Sequence, residues 1–599
     1  MAISSSSIFF RISFAILAAL ILLVVSQSAG SISAATRNVD GANGGCNDGA
    51  GAPYCTIGAA VAAAGDGDTI NVFPGTYNEN VDLNTAGGAL TLITVDATGT
   101  PTPGTVTVTD EFDGGFDGCP PPGALVIDGF TVGGGALADA MNISSCDAND
   151  VTIKNVTSAS PGGTGIGVSL SSGNIVVMNS TSNDTGGEGF ALYTEDGDVT
   201  ISDSTADGNA DDGFDTHSPG TTSVSGSDAD NNGGDGFDHD DDVGDQTGTL
   251  TITTSHASGN GTVEDADNFD LDFGGNVTIS NSTGHGSLQE DGFDIRSFSD
   301  ITITASSANG NSDEGIELQA DGNVVLDRVT AKNNGDDGVE VQSIGSGEYS
   351  VDSVSVTDSV LGPNDDGALD LEDHYFEESG TYIVEGNVIC ETNDGLESDA
   401  DIAISAIANW WGDASGPTHP DNPSGIGDQV RDGAVAGHEG TADYDPWIDT
   451  ITGSGDAATQ GQPTVVAFGF TDTSVAFQQG PGDPNGEPTF AATTDNGTVS
   501  TSGFVKDGKL EVTLTPANTG TATVTVTGPC GLDASTGGNT IVLNVATAPV
   551  GPTATPAQLP DTGGESASGS GFPWLALIVG FAAMAAGASV FVMRARRDP

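Results

Sequence analysis

The sequence predicts an all-β chain in which a long solenoid of short, stacked strands precedes a smaller β-sandwich. A phrase of the form D-G-F-D-x returns seven times between residues 188 and 341, in spellings such as E-G-F-A-L and D-G-V-E-V. Alternating runs of β-branched residues, such as V-T-I and I-T-I-T, return with it. A period in the low twenties is typical of a solenoid, because one turn cannot bury its own apolar side chains and must stack on the next. The glycines that mark the period are Gly165, Gly189, Gly213 and Gly236, then Gly292, Gly315 and Gly338, with spacings of 23 or 24 residues within each series.

The composition excludes some classes of function. The 599 residues include 12 Lys and Arg against 85 Asp and Glu, for a net charge of −73. Nucleic-acid binding is excluded, since it requires clustered cations. With 36% hydrophobic residues and 88 glycines, the chain is typical of a β-rich protein with many tight turns rather than of a disordered acidic chain.

Residues 1–35 are predicted to be a secretory signal peptide. Arg11 precedes an apolar run over residues 12–25, and small residues follow up to Ala35. We therefore expect an exported protein. An uncleaved N-terminal anchor is the alternative, although the apolar run is shorter than the ~20 residues of a membrane span.

The C-terminal residues predict an anchor. An apolar run over residues 572–593 is long enough to span a bilayer, and the basic tail 594–599 would stay on the cytoplasmic side. The linker 548–571 before it contains Leu559-Pro560-Asp561-Thr562-Gly563. This order resembles the sorting signal of sortase-anchored surface proteins. The resemblance implies that a cysteine transpeptidase, sortase, cuts the Thr562–Gly563 bond and joins the chain to cell-wall peptidoglycan, outside the cell. A permanent single-span anchor is the alternative.

Six cysteines in an exported chain permit disulfides. Cys46 and Cys55 are near enough to close a small loop, and a bond between Cys119 and Cys146 would join one turn to the next. Two further cysteines, Cys390 and Cys530, have no partner nearby in the sequence.

The start of the repetitive region carries a fold resemblance. Residues 36–66 are predicted to form an N-terminal cap with a helix over residues 57–64, and residues 67–81 read G-D-T-I-N-V-F-P-G-T-Y-N-E-N-V. This segment resembles the first turn of the pectate-lyase-like superfamily. The resemblance implies a right-handed parallel β-helix, which we expect over residues 67–450 at about 23 residues per turn. Residues 409–412, N-W-W-G, resemble the closing segment of β-helix surface proteins, so we expect both tryptophans to plug the last turn, with sugar stacking as the alternative.

A different pattern occupies residues 463–547. The period disappears, but alternating runs such as L-E-V-T-L and A-T-V-T-V continue, and about seven short strands fit the segment. We predict an Ig-like β-sandwich that serves as a stalk.

Within the repeated phrase, each residue type predicts a separate role. The glycine indicates a turn. The aromatic residue should point inward as a stacked ladder, and asparagines four residues before the glycine should form a hydrogen-bonded ladder between turns. The ladders comprise Phe190, Phe214, Phe237, Phe269, Phe293, Ile316 and Val339, and Asn209, Asn232, Asn311 and Asn334.

The acidic residues on either side of the inward residue predict a cation site. Strand residues alternate in direction, so the carboxylate after the inward residue should point outward. Carboxylates stacked about 4.8 Å apart repel one another, and all-oxygen donors suit Ca²⁺. A solvated acidic face without a specific site is the alternative. The candidate calcium ligands are Asp211, Asp212, Asp215, Asp235, Asp238, Asp267, Asp270, Asp291 and Asp294, with further acidic clusters around Asp240, Asp272, Asp365 and Asp370.

A second resemblance raises the question of catalysis. The D-D-G-F-D at residues 211–215 resembles the calcium-binding turn of a pectate-lyase family, which implies calcium ligation by its three aspartates and an acid one turn earlier, Glu188. In that chemistry calcium acidifies the C5 proton of a uronate, and a lysine or arginine removes it. No lysine or arginine lies between Lys154 and Arg296, so Arg296 is the candidate base. The isolated His217, His239 and His256 fit no catalytic arrangement and are predicted to be turn residues.

We expect, from these features together, a cell-wall-anchored surface protein that binds Ca²⁺ and interacts with a polysaccharide, or with a host or neighbouring cell surface, without catalysis. The alternative is a polysaccharide lyase or another carbohydrate-active enzyme that acts on uronate-containing polymers. A structural role in a surface layer is a third possibility.

Overall fold

The structure is a computed structural model that describes residues 34–548, except for residues 50–52, 87, 115–122, 134–137, 146–149, 160, 241–247, 263–265, 345–349, 373–374, 378, 391, 472–489, 502, 504, 507 and 533–537. The predicted sorting motif, the apolar run 572–593, nearly all of the signal peptide and the Cys119–Cys146 pair lie outside the described residues. None of the helices within the described ranges is long and apolar enough to cross a membrane.

Parallel strands wind into a β-helix with three faces, which confirms the predicted fold class. The first face, sheet A, contains sixteen strands, and the alternation of buried and half-buried residues along most of them places one side against the core. Its strands, in sheet order, are Thr36–Val39, Asp68–Val72, Leu90–Thr94, Leu125–Asp128, Val151–Lys154, Ile175–Met178, Val199–Ser202, Thr222–Ser225, Thr249–Thr253, Asn276–Ser280, Ile301–Thr304, Asn323–Asp327, Ser353–Thr357, Tyr382–Glu385, Ala403–Ser405 and Thr441–Asp443.

The second face, sheet B, contains fifteen strands and carries the repeated phrase. In sheet order they are Val81–Asp82, Phe112–Asp113, Met141–Ser145, Ile166–Leu170, Phe190–Thr194, Phe214–His217, Phe237–Asp240, Phe269–Phe273, Phe293–Ser297, Ile316–Ala320, Val339–Ser343, Leu369–Leu371, Asp394–Ser398, Gly427–Arg431 and Pro417–Thr418.

The third face, sheet C, consists of a five-stranded and an eight-stranded sheet, which Thr205 links through isolated bridges to Thr181 and Asp228. The first group is Gly75–Tyr77, Val106–Val108, Phe130–Val132, Thr157–Ala159 and Thr181–Asn183. The second is Asp228–Asp230, His256–Ser258, Thr283–His285, Ser307–Asn309, Thr330–Lys332, Val360–Leu361, Val388–Ile389 and Trp410–Trp411.

The register confirms the predicted period for the regular coils. Phe293 pairs with Ile316, and Ile316 pairs with Val339, at 23 residues each. The coil between Phe237 and Phe269 is longer, at 32 residues, yet the two phenylalanines are still register partners. Extra residues in a coil therefore leave the stacking on sheet B unchanged.

The interior contains the two predicted ladders. The rings of Phe190, Phe214, Phe237, Phe269 and Phe293 stack with centroids 4.7–4.9 Å apart. Beside them the Asn209 amide donates to Asn232 Oδ1 at 3.0 Å. The ladder also includes Asn260 and Asn364, which the sequence reading missed because inserted residues displace them from the period.

The repeat glycines have a different role from the predicted one. None of them has a positive φ, so they do not provide a left-handed turn. A Cβ on Gly213 would instead lie 2.6 Å from the carbonyl oxygen of Gly236 and 2.8 Å from the side-chain nitrogen of Asn232. Glycine is required here because the next coil and the asparagine ladder approach too closely for any side chain.

The N-terminal end is covered by a short helix, Ile57–Ala62, with a 3₁₀ turn at Leu83–Thr85. The Thr56 hydroxyl caps the helix by accepting from the Ala59 N–H at 3.3 Å. The helix buries Ile57, Ala60 and Val61 against the first coils. The predicted Cys46–Cys55 disulfide is present. It closes a small loop within the cap, before the strand Asp68–Val72.

Beyond the β-helix, eight strands form two four-stranded sheets that share one core. The Ig-like classification stays a prediction. One sheet, in order, is Thr450–Gly455, Thr464–Thr471, Lys509–Thr515 and Thr498–Thr501, and the other is Ala458–Thr459, Thr540–Ala546, Gly520–Thr527 and Ala491–Thr494, with a 3₁₀ turn at Pro529–Gly531.

The two regions are joined covalently. Cys390, which lacked a partner nearby in the sequence, is bonded to Cys530 across 140 residues. The indole nitrogen of Trp410 donates to the Cys530 carbonyl at 3.2 Å. Both tryptophans are fully buried, Trp411 in the core of the β-helix and Trp410 in the cluster that contains the sandwich core. Burial excludes sugar stacking on them, and their role as the plug of the last turn stays a prediction.

Candidate functional site

An uninterrupted column of carboxylates lies on the outer side of sheet B. Each member directly follows the inward residue of its strand, and strand pairing makes each member the register partner of the next. Parallel pairing places such neighbours about 4.8 Å apart. The acidic column, as we call it, is Asp215, Asp238, Asp270, Asp294, Glu317, Glu340, Asp370 and Glu397.

The first acid of each phrase behaves differently from the prediction of an outward face. Asp267 is 7% exposed and Asp291 is 3% exposed. The carboxylate of each accepts a hydrogen bond from a backbone N–H of the next coil, as Asp212 Oδ1 does from Asp235 N at 2.8 Å and Asp291 Oδ1 from Glu314 N at 2.8 Å. We call these acids the amide-bonded row. They are Asp212, Asp235, Asp267 and Asp291. The hydrogen bonds hold their carboxylates against the backbone of the next coil.

Burial and mutual repulsion shift the acidic column toward its protonated form. Burial, followed by the charges of Asp270 and Asp215, raises the pKa of Asp238 to about 9. Burial, followed by Glu317 and Asp270, raises the pKa of Asp294 to about 8. The pKa of Asp215 rises to about 7 through burial and the charge of Glu188. Without cations, Asp238 and Asp294 therefore hold protons at neutral pH that isolated aspartates would lose.

The two halves of the acidic column differ in their partners. In the second half, Gln342 donates to Glu317 at 2.6 Å and to Glu340 at 3.1 Å, and Arg431 pairs with Glu397 at 3.1 Å. Within the described part of the chain, no lysine or arginine pairs with the carboxylates of the first half, which are Asp215, Asp238, Asp270 and Asp294. These four are among the predicted calcium ligands.

The structure also brings the predicted lyase-like turn together. Glu188 lies one coil before Asp212, and its carboxylate accepts from the Thr164 hydroxyl at 2.6 Å. Burial raises the pKa of Asp212 to about 6 against the hydrogen bond from Asp235 N–H, and the charges of Asp211 and Glu188 add to the rise. Three coils beyond Asp212, Asp291 and its neighbours Asp313 and Glu314 bring carboxylate oxygens within 4.8 Å of one another.

A cleft of about 500 Å³ lies at the start of the acidic column. Tyr193, 36% exposed, stands beside His217 with ring centroids 6.4 Å apart. Asp215, Asp238 and Asp240 line the same cleft. An aromatic face, an imidazole and several carboxyl groups therefore meet at one place.

Sequence reasoning missed this cleft, although a signal was present. Tyr193 and His217 both lie three residues after an inward phenylalanine and are register partners on sheet B. The prediction that the histidines occupy turns was wrong. His217 lies at the end of a sheet B strand, His256 begins a sheet C strand, and His239 is 1% exposed within a strand, its side chain on the buried side.

Arg296, the candidate base, lies three residues after Phe293, which is the position that Tyr193 and His217 occupy in their own repeats. Its guanidinium pairs with Asp272 at 2.9 Å and lies 5.0 Å from the ring centre of Phe298. It is three strands away from Phe214–His217. An arginine in an ion pair is poorly suited to removing a proton from a substrate bound in the cleft.

Comparison with known proteins agrees with the fold. Residues 140–286 match the model of the family described as "Right handed beta helix region". No curated protein matches the chain.

Three solved structures are similar. Pectate lyase Pel9A is 19% identical, with 59% of this chain and 82% of that chain covered and a TM-score of 0.32. The mannuronan C-5 epimerase AlgE6 A-module of Azotobacter vinelandii is 14% identical, with 61% and 95% covered and a TM-score of 0.32. The catalytic unit of the GH87 alpha-1,3-glucanase of Streptomyces thermodiastaticus strain HF3-3 is 14% identical, with 70% of each chain covered and a TM-score of 0.33.

Proposed function

We propose that this protein is an extracellular, wall-anchored β-helix that binds an acidic polysaccharide through Ca²⁺ ions held on the acidic column. The observation that carries the proposal is the contrast within that column. Among the described residues, no lysine or arginine pairs with its first four carboxylates, whereas Glu317 and Glu340 accept from Gln342, and Glu397 pairs with Arg431. Burial raises pKa values in both halves, to about 9 at Asp238 and to about 8 at Asp370. The anchoring part depends on the L-P-D-T-G motif and the apolar run that follows it.

The donor set suits calcium. Asp215, Asp238, Asp270 and Asp294 would supply carboxylate oxygens from four successive strands. Ca²⁺ accepts six to eight oxygen ligands in irregular geometry, and a carboxylate-bearing polymer could provide the remainder. Calcium bound here would replace the protons that the column otherwise retains, so that affinity should rise with pH.

The shape of the site suits an extended polymer. Eight carboxylates at about 4.8 Å intervals form a line about 30 Å long, which is long enough for several sugar residues. The column and a polyuronate both offer carboxyl groups and no cationic partner, so a polyuronate would bind only where a divalent cation lies between the two. Tyr193 provides an aromatic face for one sugar ring at the start of the line.

Binding to polygalacturonate tests the proposal. We expect the mature chain to bind in millimolar Ca²⁺ and to be released by EDTA, as measured by affinity electrophoresis. Replacing Tyr193 by Ala should weaken calcium-dependent binding about tenfold, because it removes the ring at the start of the column.

Tyr375→Ala is the matched control, since Tyr375 is 41% exposed and does not line the cleft. It should leave binding unchanged. Equal binding with and without calcium would refute the role of the ions, and equal losses in the two variants would refute the role of the cleft.

A second candidate, a lyase that acts on uronate polymers, is favoured by the cleft itself. Asp215, whose pKa is about 7, lies there with Tyr193 and His217, and groups that titrate near neutral pH are suited to general acid–base catalysis. In this scheme one group would remove the C5 proton, and another would protonate the leaving O4 as the C4–O4 bond breaks.

The lyase candidate predicts release of ultraviolet-absorbing unsaturated uronates from polygalacturonate or alginate. Replacing His217 by Ala should abolish release if the cleft is catalytic, whereas Tyr375→Ala should not affect it. Binding without any release of unsaturated product would support the non-catalytic function.

A further inference from the structure

The ends of three strands converge near the C-terminal end of the β-helix. His419 directly follows the strand Pro417–Thr418, Asp432 follows Gly427–Arg431, and Tyr444 follows Thr441–Asp443. Their side chains form one chain of hydrogen bonds. His419 Nε2 lies 3.0 Å from Asp432 Oδ1, and His419 Nδ1 lies 2.9 Å from the Tyr444 hydroxyl.

The backbone fixes the direction of these hydrogen bonds. The Asp421 N–H donates to His419 Nδ1 at 3.1 Å, so Nδ1 is an acceptor and the imidazole proton lies on Nε2, which donates to Asp432. The Tyr444 hydroxyl points at the same Nδ1, so it and the Asp421 N–H share one nitrogen lone pair, and the tyrosine oxygen keeps acceptor capacity. Burial acts to raise the pKa of Asp432, but hydrogen bonds from His419, Ala442 N–H and Ala434 N–H lower it below its usual value.

An aromatic platform lies beside this network. A Cβ on Gly416 would lie 2.5–2.8 Å from three carbon atoms of the Trp447 indole, so glycine is packed directly against one face of the ring. The indole nitrogen donates to the Ala414 carbonyl at 3.1 Å, which fixes the ring in its plane. Trp447 is half-buried, unlike the fully buried Trp410 and Trp411.

Tyr444 and Trp447 line a cleft of about 690 Å³, within the range of small-molecule sites. The ring centroids of the two residues are 6.4 Å apart. Exposed Asp421, Asp443 and Asp445 lie at its edge. Among the described residues that line the cleft, there is no lysine or arginine. An anionic sugar or a phosphate would therefore meet only like charge.

We propose that this cleft is a second carbohydrate site, which binds an uncharged sugar residue stacked on Trp447. The edge carboxylates would accept hydrogen bonds from sugar hydroxyls, and the Tyr444 oxygen would accept one more. The His419–Asp432 pair positions Tyr444 rather than contacting the sugar. The acidic column ends at Glu397, and Arg431 is the register partner of Glu397 on the next strand. The site lies beyond that strand, and it requires no metal ion.

Neutral hexasaccharides of glucose, mannose and galactose are suitable probes. With the mature chain in EDTA, saturation-transfer NMR should show binding of at least one of them, and titration calorimetry should give its affinity. We expect Trp447→Ala to weaken that affinity about tenfold or more, because the stacking face is lost. Trp447→Phe, which retains a ring, should recover part of it.

Two further variants separate binding from folding. Tyr444→Phe keeps the packing but removes the hydroxyl, and it should weaken binding severalfold with an unchanged melting temperature. Tyr193→Ala, at the other cleft, should have no effect on the neutral probes. The proposal is overturned if no neutral hexasaccharide binds, or if Trp447→Ala and Tyr444→Phe both bind as the parent does. It is also overturned if, of all the oligosaccharides, only the cationic glucosamine oligomers bind, since that would indicate a site for cations.

Discussion

Replacing Gly213 by alanine lowers the free energy of unfolding by about 3–5 kcal/mol. The new Cβ would lie 2.6 Å from the Gly236 carbonyl oxygen and 2.8 Å from the Asn232 amide nitrogen. Neither neighbour can move freely, because one is backbone and the other donates to Asn260 within the buried ladder. The coil must therefore separate from its neighbour or lose a buried hydrogen bond. Chemical denaturation followed by circular dichroism measures the effect.

Gly167→Ala is the matched control for this substitution. Gly167 lies on a sheet B strand and, like Gly213, has no positive φ, but a Cβ there would meet nothing nearer than the Met141 carbonyl oxygen at 3.5 Å. We expect a change below about 1 kcal/mol. Similar losses of unfolding free energy in both variants would mean that the stability of the β-helix depends on strand propensity rather than on close approach of the coils.

The metal-free protein should lose stability as the pH rises from about 5 to about 9, and millimolar Ca²⁺ should restore it. Unfolded aspartates titrate near pH 4, whereas the folded pKa values of Asp215, Asp294 and Asp238 are about 7, 8 and 9. Between these limits the folded state binds more protons than the unfolded state, so stability falls with increasing pH. Calcium at a hundredfold excess over its Kd adds about 2.7 kcal/mol per site.

The measurement is the melting temperature across this pH range in EDTA, in Ca²⁺ and in Mg²⁺ at equal ionic strength. Asp238→Asn should raise the melting temperature of the metal-free protein at pH 8, since folding then no longer requires this position to take up a proton. It should also reduce the calcium effect, since it removes one ligand. Asp401→Asn, at an exposed position, is the control and should do neither. A melting temperature in EDTA that does not fall with pH would contradict the burial argument, and equal stabilisation by Mg²⁺ would contradict specific calcium sites.

The fold was predictable because its signals are periodic. The stacked phenylalanines and the asparagine ladder follow directly from a 23-residue repeat. The role of the glycines was not predictable, since the sequence does not reveal that the Gly236 carbonyl lies against Gly213. The Cys390–Cys530 bond was equally hidden, because packing of the sandwich against the coil that contains Cys390, not spacing in the chain, brings the two residues together.

The candidate sites were predictable only in part. The acidic residues that directly follow each phenylalanine were identified, because alternation along a strand determines their direction. The amide-bonded row was misjudged, since its carboxylates turn toward backbone N–H groups that only the three-dimensional coil supplies. Tyr193 and His217 could have been found by comparing the third residue after each phenylalanine. The Tyr444 cleft lies where the repeat has ended, so no periodic signal indicates it.

The Cys390–Cys530 disulfide also determines how the chain would transmit tension. It closes a loop whose ends are 140 residues apart, and that loop contains the last coils and most of the sandwich. A force applied on the C-terminal side of Cys530 would be transmitted through the disulfide to Cys390. The residues between the two cysteines would therefore not be extended by that force. In the wall-anchored arrangement proposed above, the disulfide would keep the distance between the anchor and the polysaccharide-binding face constant under force.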